Sequence, residues 1–399
     1  MKILLLSPQP FYQVRGTPIA IDLLVATLSK QGHQIDLLTY HEGDSRSYEN
    51  VRHLRTRGFR FLNNVKPGFS VKKLICSSIM FFQAFCLVKK NNYDLIHANE
   101  ESVFMAQVYR RLFKVPYVYD MDSSLSGQMA DKMPSLRSLF KLTQKIENSA
   151  IRSAQGVLAV CEALCDIARP HNANVQLLTD VSMLERLQAS ENIEVLPARV
   201  SPSATRFMYI GNLETYQGVD LMLEAFALAV AQNDEMSLII IGGSDQTIKQ
   251  YRERVIELAI DSSVIFLGPK PFDDIKRYMD QADVLISPRT QGENTPMKIY
   301  NYMASGKALI ATDIYSHTQV LDAEHAVLVD VSPASLAKAM NELAADPKRR
   351  ESLASMCQAH AEANYSVTSF EAVVAGFFEK TEKQLSSQKS GTHSRNHAE

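Results

Sequence analysis

The chain has 399 residues, 46% of them hydrophobic, enough to build cores for two domains. Its net charge of −2 and pI of about 6.6 provide no overall basic field, which excludes nucleic acid as the main partner. The five cysteines (Cys76, Cys86, Cys161, Cys165, Cys357) are an odd number without metal-ligand spacing, the pattern of buried thiols in a reducing compartment.

In chain order, residues 2–6 read as an almost wholly apolar strand, as in a sheet covered on both faces. Only four apolar residues separate Lys2 from Ser7-Pro8, too few for a signal-peptide core. A polar loop follows, then a helix capped by Thr17 with Pro18 in its first turn, stopped by Gly32. Further strands are expected at 34–40, 93–98, 116–120, 156–160 and 175–179, with helices over 102–113 and 135–154. The alternation predicts a doubly wound parallel sheet. The stretch 52–73 holds seven lysines and arginines and no acid, interleaved with Phe59, Phe61 and Phe69. It leads into an apolar run, 74–88, that is too short to span a bilayer as a helix. A basic loop of this kind suits an anionic membrane surface; a solvated loop before a packed helix accounts for the same letters.

Residues 186–204, with Pro197 and Pro202, read as a linker. Strands then restart at 206–210, 237–241, 264–267, 283–288, 307–313 and 326–329. Helices are expected over 219–232, 247–259, 273–281, 334–345, 349–363 and 366–384, before a polar, disordered tail at 385–399. This gives an N-terminal domain over 1–190 and a C-terminal domain over 205–365, with the helix 366–384 packing back towards the first. Two similar α/β halves joined by a linker, each Rossmann-like in its alternation, place the expected site in a cleft lined by carboxyl-end loops from both. Within the second, Thr295 reads as a helix cap, Pro296 as the first helical residue and Gly306 as the stop. The polar loop before that helix carries Glu293, at a helix N-terminus suited to an anionic ligand.

Several motifs together carry a resemblance: Gly211-Asn212-Leu213 with Gln217-Gly218-Val219-Asp220, the Gly242-Gly243 turn, and Glu293 through Gly306. With Val14-Arg15-Gly16-Thr17-Pro18 and Gly32-His33, they resemble the family 4 glycosyltransferases of GT-B fold over about residues 1–378. The resemblance implies a retaining transfer from a nucleotide-sugar to a saccharide or lipid-linked acceptor, in glycan, polysaccharide or glycolipid synthesis. It implies no cofactor and no metal, and a cytoplasmic or peripheral location at the inner face of a membrane. Its two donor-site glutamates, eight positions apart, fall on Glu293 and Asn301, so the second has become an amide. Its diphosphate-neutralising arginine and lysine fall on Asn212 and Gln217, so both cations are missing.

The residues themselves agree at several points. Glu293 can accept hydrogen bonds from donor sugar hydroxyls, and the amides of Asn294, Thr295 and Met297 can face a diphosphate. Gly16 allows close backbone approach, with Arg15 beside it. Arg289 and Lys298 flank the loop and can restore the lost charge; a lysine in a helix's first turn otherwise opposes the dipole. The turn after Phe266-Leu267-Gly268 falls where the family holds the base. Asp120-Met121-Asp122 reads alone as a metal–nucleotide motif of another fold, but it closes a parallel strand here. Asp122 falls where relatives of this fold place a cleft histidine, so the resemblance implies it beside the reacting sugar, without a metal. Two rival readings stay open: a GT-B nucleotide-sugar epimerase, and a weakly active nucleotide-sugar-binding relative.

Overall fold

The computed structural model describes residues 1–13, 16–65, 70–124, 137–187, 196 and 203–395, with backbone alone for 137–140 and 388–395. The chain divides into two compact units, Met1–Thr179 with Phe370–Glu399, and Asp180–Ser369.

The first unit alternates strands and helices: β1 (Lys2–Ser7), α1 (Gly16–Lys30), β2 (Gln34–Thr39), β3 (Val51–Arg55), α2 (Val71–Lys90), β4 (Leu95–Asn99) and α3 (Ser102–Phe113). It continues with β5 (Tyr117–Met121), α4 (Arg137–Ser153), β6 (Gly156–Ala159), α5 (Glu162–Ala168) and β7 (Val175–Leu177). The seven strands pair in the order β3-β2-β1-β4-β5-β6-β7, all parallel. β1 sits centrally, with Ile3 paired to Ile35 on one side and Leu95 on the other. Burial on both faces explains its unbroken apolar run.

β3 departs from the sequence expectation, which read its VRHLR as the start of a basic loop. It is an edge strand, where charge is tolerated. Arg52 grips Asp36 of the neighbouring strand with Nε and Nη2 at 2.8 and 2.6 Å. Three more of the basic side chains are also tied into the fold. Arg55 donates to the carbonyls of His41 and Asp44, and Lys72 to that of Asn63. Lys73 pairs with Glu100 and Glu101. Lys66 and Phe69 lie outside the described residues.

α2 is longer than the expected run. Ser70 caps it by accepting the Lys73 amide, and its 20 residues make it the one described helix long and apolar enough to cross a membrane. Its inner stripe, Cys76, Met80, Ala84 and Val88, repeats every four residues and is buried in the unit's core.

The final helix, α13 (Val367–Arg395), returns to the first unit. Phe378 stacks on His97 of β4 with ring centroids 6.0 Å apart, and Lys30 pairs with Glu371 at 2.5 Å. The sequence expects disorder from 385; the backbone stays helical through Arg395, since that stretch has no proline and one glycine. Residues 396–399 lie outside the described residues, as does most of the expected linker.

The second unit holds β8 (Thr205–Ile210), α6 (Val219–Val230), β9 (Met236–Ile241), α7 (Asp245–Glu257), β10 (Val264–Gly268), α8 (Ile275–Asp280) and β11 (Val284–Ser287). After these come α9 (Met297–Ala304), β12 (Ala308–Thr312), α10 (Tyr315–Thr318), β13 (Val327–Val329), α11 (Pro333–Ala345) and α12 (Pro347–Asn364). Its six parallel strands run β10-β9-β8-β11-β12-β13. The order reverses between β8 and β11, and in the first unit between β1 and β4. Loops that leave the carboxyl ends of strands flanking such a reversal line the ligand crevice of open α/β sheets.

Candidate functional site

At the reversal of the second sheet, the loop after β8 meets the loop after β11. Glycines let them close on each other. Gly218 has φ +75°, and a Cβ there would sit 1.9 Å from the Pro288 carbonyl oxygen. Gly242, at φ +111°, lies against the backbone of Gly211, where a Cβ would come within 2.1 Å of its oxygen. Gly243, at φ +83°, faces the Leu213 side chain, which a Cβ would meet at 2.6 Å. These glycines shape the wall of the site through the chain's own packing.

Lys298 lies at the centre. Its Nζ donates to Gln217 Oε1 at 3.0 Å and stands 4.2 Å from the centroid of the Tyr209 ring. Burial, with the Arg289 guanidinium nearby, brings its ammonium down to about 7. The Tyr209 hydroxyl reaches on to the Asn212 carbonyl at 2.6 Å, while Asn212 itself is exposed. The amide of Gln217, where the resemblance implied a lysine, thus faces an ammonium that arrives from the opposite loop.

Arg289 is placed differently from expectation. Its Nε and Nη1 donate to the carbonyls of Gln291 and Asn294, and its guanidinium lies 5.4 Å from the Tyr216 ring centroid. The loop wraps it closely: at Gly292, φ +113°, a Cβ would meet Arg289 Nη2 at 2.0 Å. Arg289 therefore shapes the loop 289–294 from within.

Thr295 is not the helix cap. Pro296 takes the cap position with extended backbone (φ −71°, ψ 134°), and α9 begins at Met297. A residue before proline is kept out of the helical region, so Thr295 sits too early to bond the first turn. Its Oγ1 is buried without a partner. The first bond of the turn comes from the Ile299 amide to Pro296, which leaves the amides of Met297 and Lys298 ahead of it. Glu293 is exposed on the loop, whose backbone is held by Gln319 donating to the Glu293 carbonyl at 2.7 Å.

Asn301 faces inward. It is 4% exposed, and its Oδ1 accepts from the Met183 amide at 3.0 Å and from Ser182 Oγ at 3.3 Å. That oxygen anchors the segment that leads into the second unit.

Three structural groups were not singled out in the sequence. The Tyr302 hydroxyl accepts the Ile210 amide at 2.7 Å, bracing α9 against the end of β8. His317 faces Ser287 Oγ with Nε2 (2.9 Å) and the Thr312 carbonyl with Nδ1 (2.8 Å). A carbonyl only accepts, so the proton sits on Nδ1, and burial lowers the ring to about 4. Thr312 Oγ1 in turn donates to the Arg289 carbonyl. No spacing signals this network, because it joins the ends of neighbouring strands.

A cavity of about 390 Å³ lies between α7 (Ile248, Lys249, Arg252) and the Phe266–Pro269 turn, the place where the resemblance put the base. In the first unit, Asp122 follows β5 and its Oδ2 accepts from Asn99 Nδ2 at 3.1 Å. Gly16 opens α1 exposed, and a Cβ there would meet nothing, so the fold itself does not demand glycine. Arg15 lies outside the described residues. A groove of about 800 Å³ opens at the amino ends of β4 and β5, the opposite edge from these loops.

Comparison with known proteins agrees with this geometry in both units. Residues 15–177 match the model of a glycosyl transferase 4-like domain, and residues 199–359 match that of glycosyl transferases group 1. The alpha-monoglucosyldiacylglycerol synthase of Streptococcus pneumoniae is 22% identical over 78% of this chain and 71% of its own length. A D-inositol 3-phosphate glycosyltransferase of Corynebacterium diphtheriae is 23% identical over 88% and 86%. Among solved structures, sucrose-phosphate synthase of Thermosynechococcus elongatus superposes with a TM-score of 0.73 at 19% identity, over 97% of this chain and 99% of that one. Anabaena HepE in complex with UDP gives 0.73 at 16% identity, over 95% and 100%. With both halves matched to glycosyltransferase models and the double sheet matched to solved GT-B enzymes, the chain belongs to the family 4-like glycosyltransferases of GT-B fold.

Proposed function

We propose that this glycosyltransferase is retaining, and that it moves a hexose from a nucleoside-diphosphate sugar to a saccharide or lipid-linked acceptor. The observation that carries the donor reading is Lys298, whose ammonium lies against Gln217 at the N-terminus of α9. A diphosphate there receives the ammonium, the leading amides of the helix and the dipole. Relatives named for glucosyldiacylglycerol and inositol phosphate support a glycan or glycolipid product, and solved neighbours with UDP and UDP-glucose make UDP-glucose the first donor to try.

In this reading the bond between the anomeric carbon and the β-phosphate oxygen breaks as the acceptor oxygen bonds to the same face. The acceptor proton passes to the departing phosphate oxygen, and Lys298 stabilises the charge that develops there. Glu293 orients donor hydroxyls, and Asp122 stands on the acceptor side. No metal takes part in this scheme. Because Lys298 returns one of the two cations missing at Asn212 and Gln217, active transfer is favoured over a binding-only relative. Glycosyltransferase models on both halves likewise favour transfer over epimerisation. A thermal-shift panel of nucleoside diphosphates, followed by transfer assays, tests the reading. It expects one diphosphate to raise the melting temperature and its sugar to be consumed only with an acceptor present.

The reading also places the first unit on an anionic membrane, at the cytoplasmic face. Phe61, Val71 and Phe82 are each about two-thirds exposed or more (67, 72 and 67%), and Phe59 stacks on Phe61 at 5.6 Å. Arg57 and Arg60 stand beside them with no ion pair among the described residues. The expected basic loop is thus narrowed to two arginines and an outward apolar face of α2. Sedimentation should show binding to vesicles with anionic lipid that weakens in salt, and Phe61→Ser with Phe82→Ser should abolish it without lowering the melting temperature.

A further inference from the structure

The groove at the amino ends of β4 and β5 lies wholly within the first unit. Its volume of about 800 Å³ is in the range of sites that hold small organic ligands. Two helices end at its rim. α2 contributes Lys89 from its last turn, and α3 contributes Arg110 and Arg111, followed by Lys114. All four side chains are exposed, and none has an ion pair among the described residues. Lys114 occupies the left-handed cap of α3 (φ 60°), a position that favours glycine, so the lysine is held there at a conformational cost. Asp94 is the one acid among the described lining residues, and its Oδ2 accepts the Lys2 amide at 2.9 Å. The floor is apolar: Val88, Tyr93 and Leu385 are buried, with Phe113, Val115 and Pro116 half-buried around them.

Cations at helix C-termini ordinarily answer the dipole, and the magnitudes decide whether that is all they do here. Four cations against one carboxylate leave three positive charges in surplus. Two helix ends, at about −0.5 each, take back roughly one of them. About two remain, enough to match the ~−1.5 to −2 that a phosphate monoester carries at neutral pH. We propose that this groove is a second ligand site, for a phosphate monoester borne on an apolar or aromatic body. The arginines can take the phosphate oxygens in bidentate pairs, while the body rests on the floor beside Tyr93 and Phe113. The inference is independent of the transfer reading, since the sheet separates this groove from the loops at its carboxyl edge. β4 and β5 have five residues each, which puts the two edges roughly 16 Å apart.

Calorimetric titration of the full chain with phenyl phosphate tests the proposal, in wild type and in Lys298→Gln, whose donor side has lost its ammonium. Both should bind the probe, and both should bind phenyl sulfate, with one charge instead of two, about fivefold or more weakly. Arg110→Gln with Arg111→Gln should weaken the probe about tenfold or more and leave nucleoside diphosphate affinity unchanged. Lys89→Gln with Lys114→Gln provides the same readout should the first pair lower the melting temperature. Phosphatidic acid vesicles that displace the probe, where phosphatidylserine vesicles do not, assign the ester to a lipid headgroup. Failure of both to displace it assigns a soluble ester. A wild type that does not bind the probe, phenyl sulfate bound as tightly, or displacement by phosphatidylserine overturns the proposal. So does probe affinity that survives both groove variants and is lost in Lys298→Gln, which would place the phosphate on the donor side.

Discussion

The two units share a topology and carry opposite chemistry at the same edge. In the first, β4 beside the order reversal ends in Asn99 and is followed by Glu100 and Glu101, with Asp120 and Asp122 at the end of neighbouring β5. In the second, the corresponding loops enclose Lys298 and Arg289. Fold sets where a ligand meets the sheet; side chains at the strand ends set which charge is welcome. Side-chain contacts put cations at the second unit's edge and carboxylates at the first unit's.

The comparison can be broken first at Glu293. Glu293→Gln should lower turnover by orders of magnitude while diphosphate affinity stays nearly intact, as expected of a group that acts on the sugar during transfer. Equal loss of both, measured by steady-state kinetics and titration, would move Glu293 out of that role. Next comes the loop closure that forms the anion side. Gly218→Ala puts a Cβ where the Pro288 oxygen lies and forces a left-handed residue, so denaturant unfolding should show a loss of several kcal/mol, ~2–4.

Arg289→Ala should weaken diphosphate binding by roughly tenfold, and nucleoside binding less, as the loop it organises loosens. An effect confined to acid pH concerns His317. Its folded value of about 4 lies below the ordinary 6.5, so the unfolded chain takes up the proton first as pH falls. Stability from this group is therefore lost between about pH 6.5 and 4, on the order of 1–3 kcal/mol, and His317→Asn should flatten that slope in pH-dependent melts.

Much of this architecture is legible in the letters, because apolar strands alternate with punctuated helices throughout. The edge strand β3 escaped, since VRHLR is charged and half exposed and lacks the apolar run of a central strand. Lys298 stood out as a cation against a helix dipole, but its partner Gln217 lies 81 positions away and only the loop packing joins them. Arg289 was legible as a charge and not as a loop former, because it contacts backbone carbonyls that leave no mark on sequence. Asn301 was read through the family's second glutamate; in the fold its oxygen holds Ser182 and Met183, 119 and 118 positions away.

The central claim is that Lys298 supplies the positive charge for the donor diphosphate. Calorimetric titration of a nucleoside diphosphate and its free nucleoside between pH 6 and 9 tests it most directly, in wild type and Lys298→Gln. The free ammonium titrates near 7, so wild-type diphosphate affinity should decline as pH rises beyond that value while nucleoside affinity stays level. Lys298→Gln should bind the diphosphate at least about tenfold more weakly and lose that pH dependence. Diphosphate affinity that is unchanged in the variant, with the wild-type pH profile intact, would contradict the account.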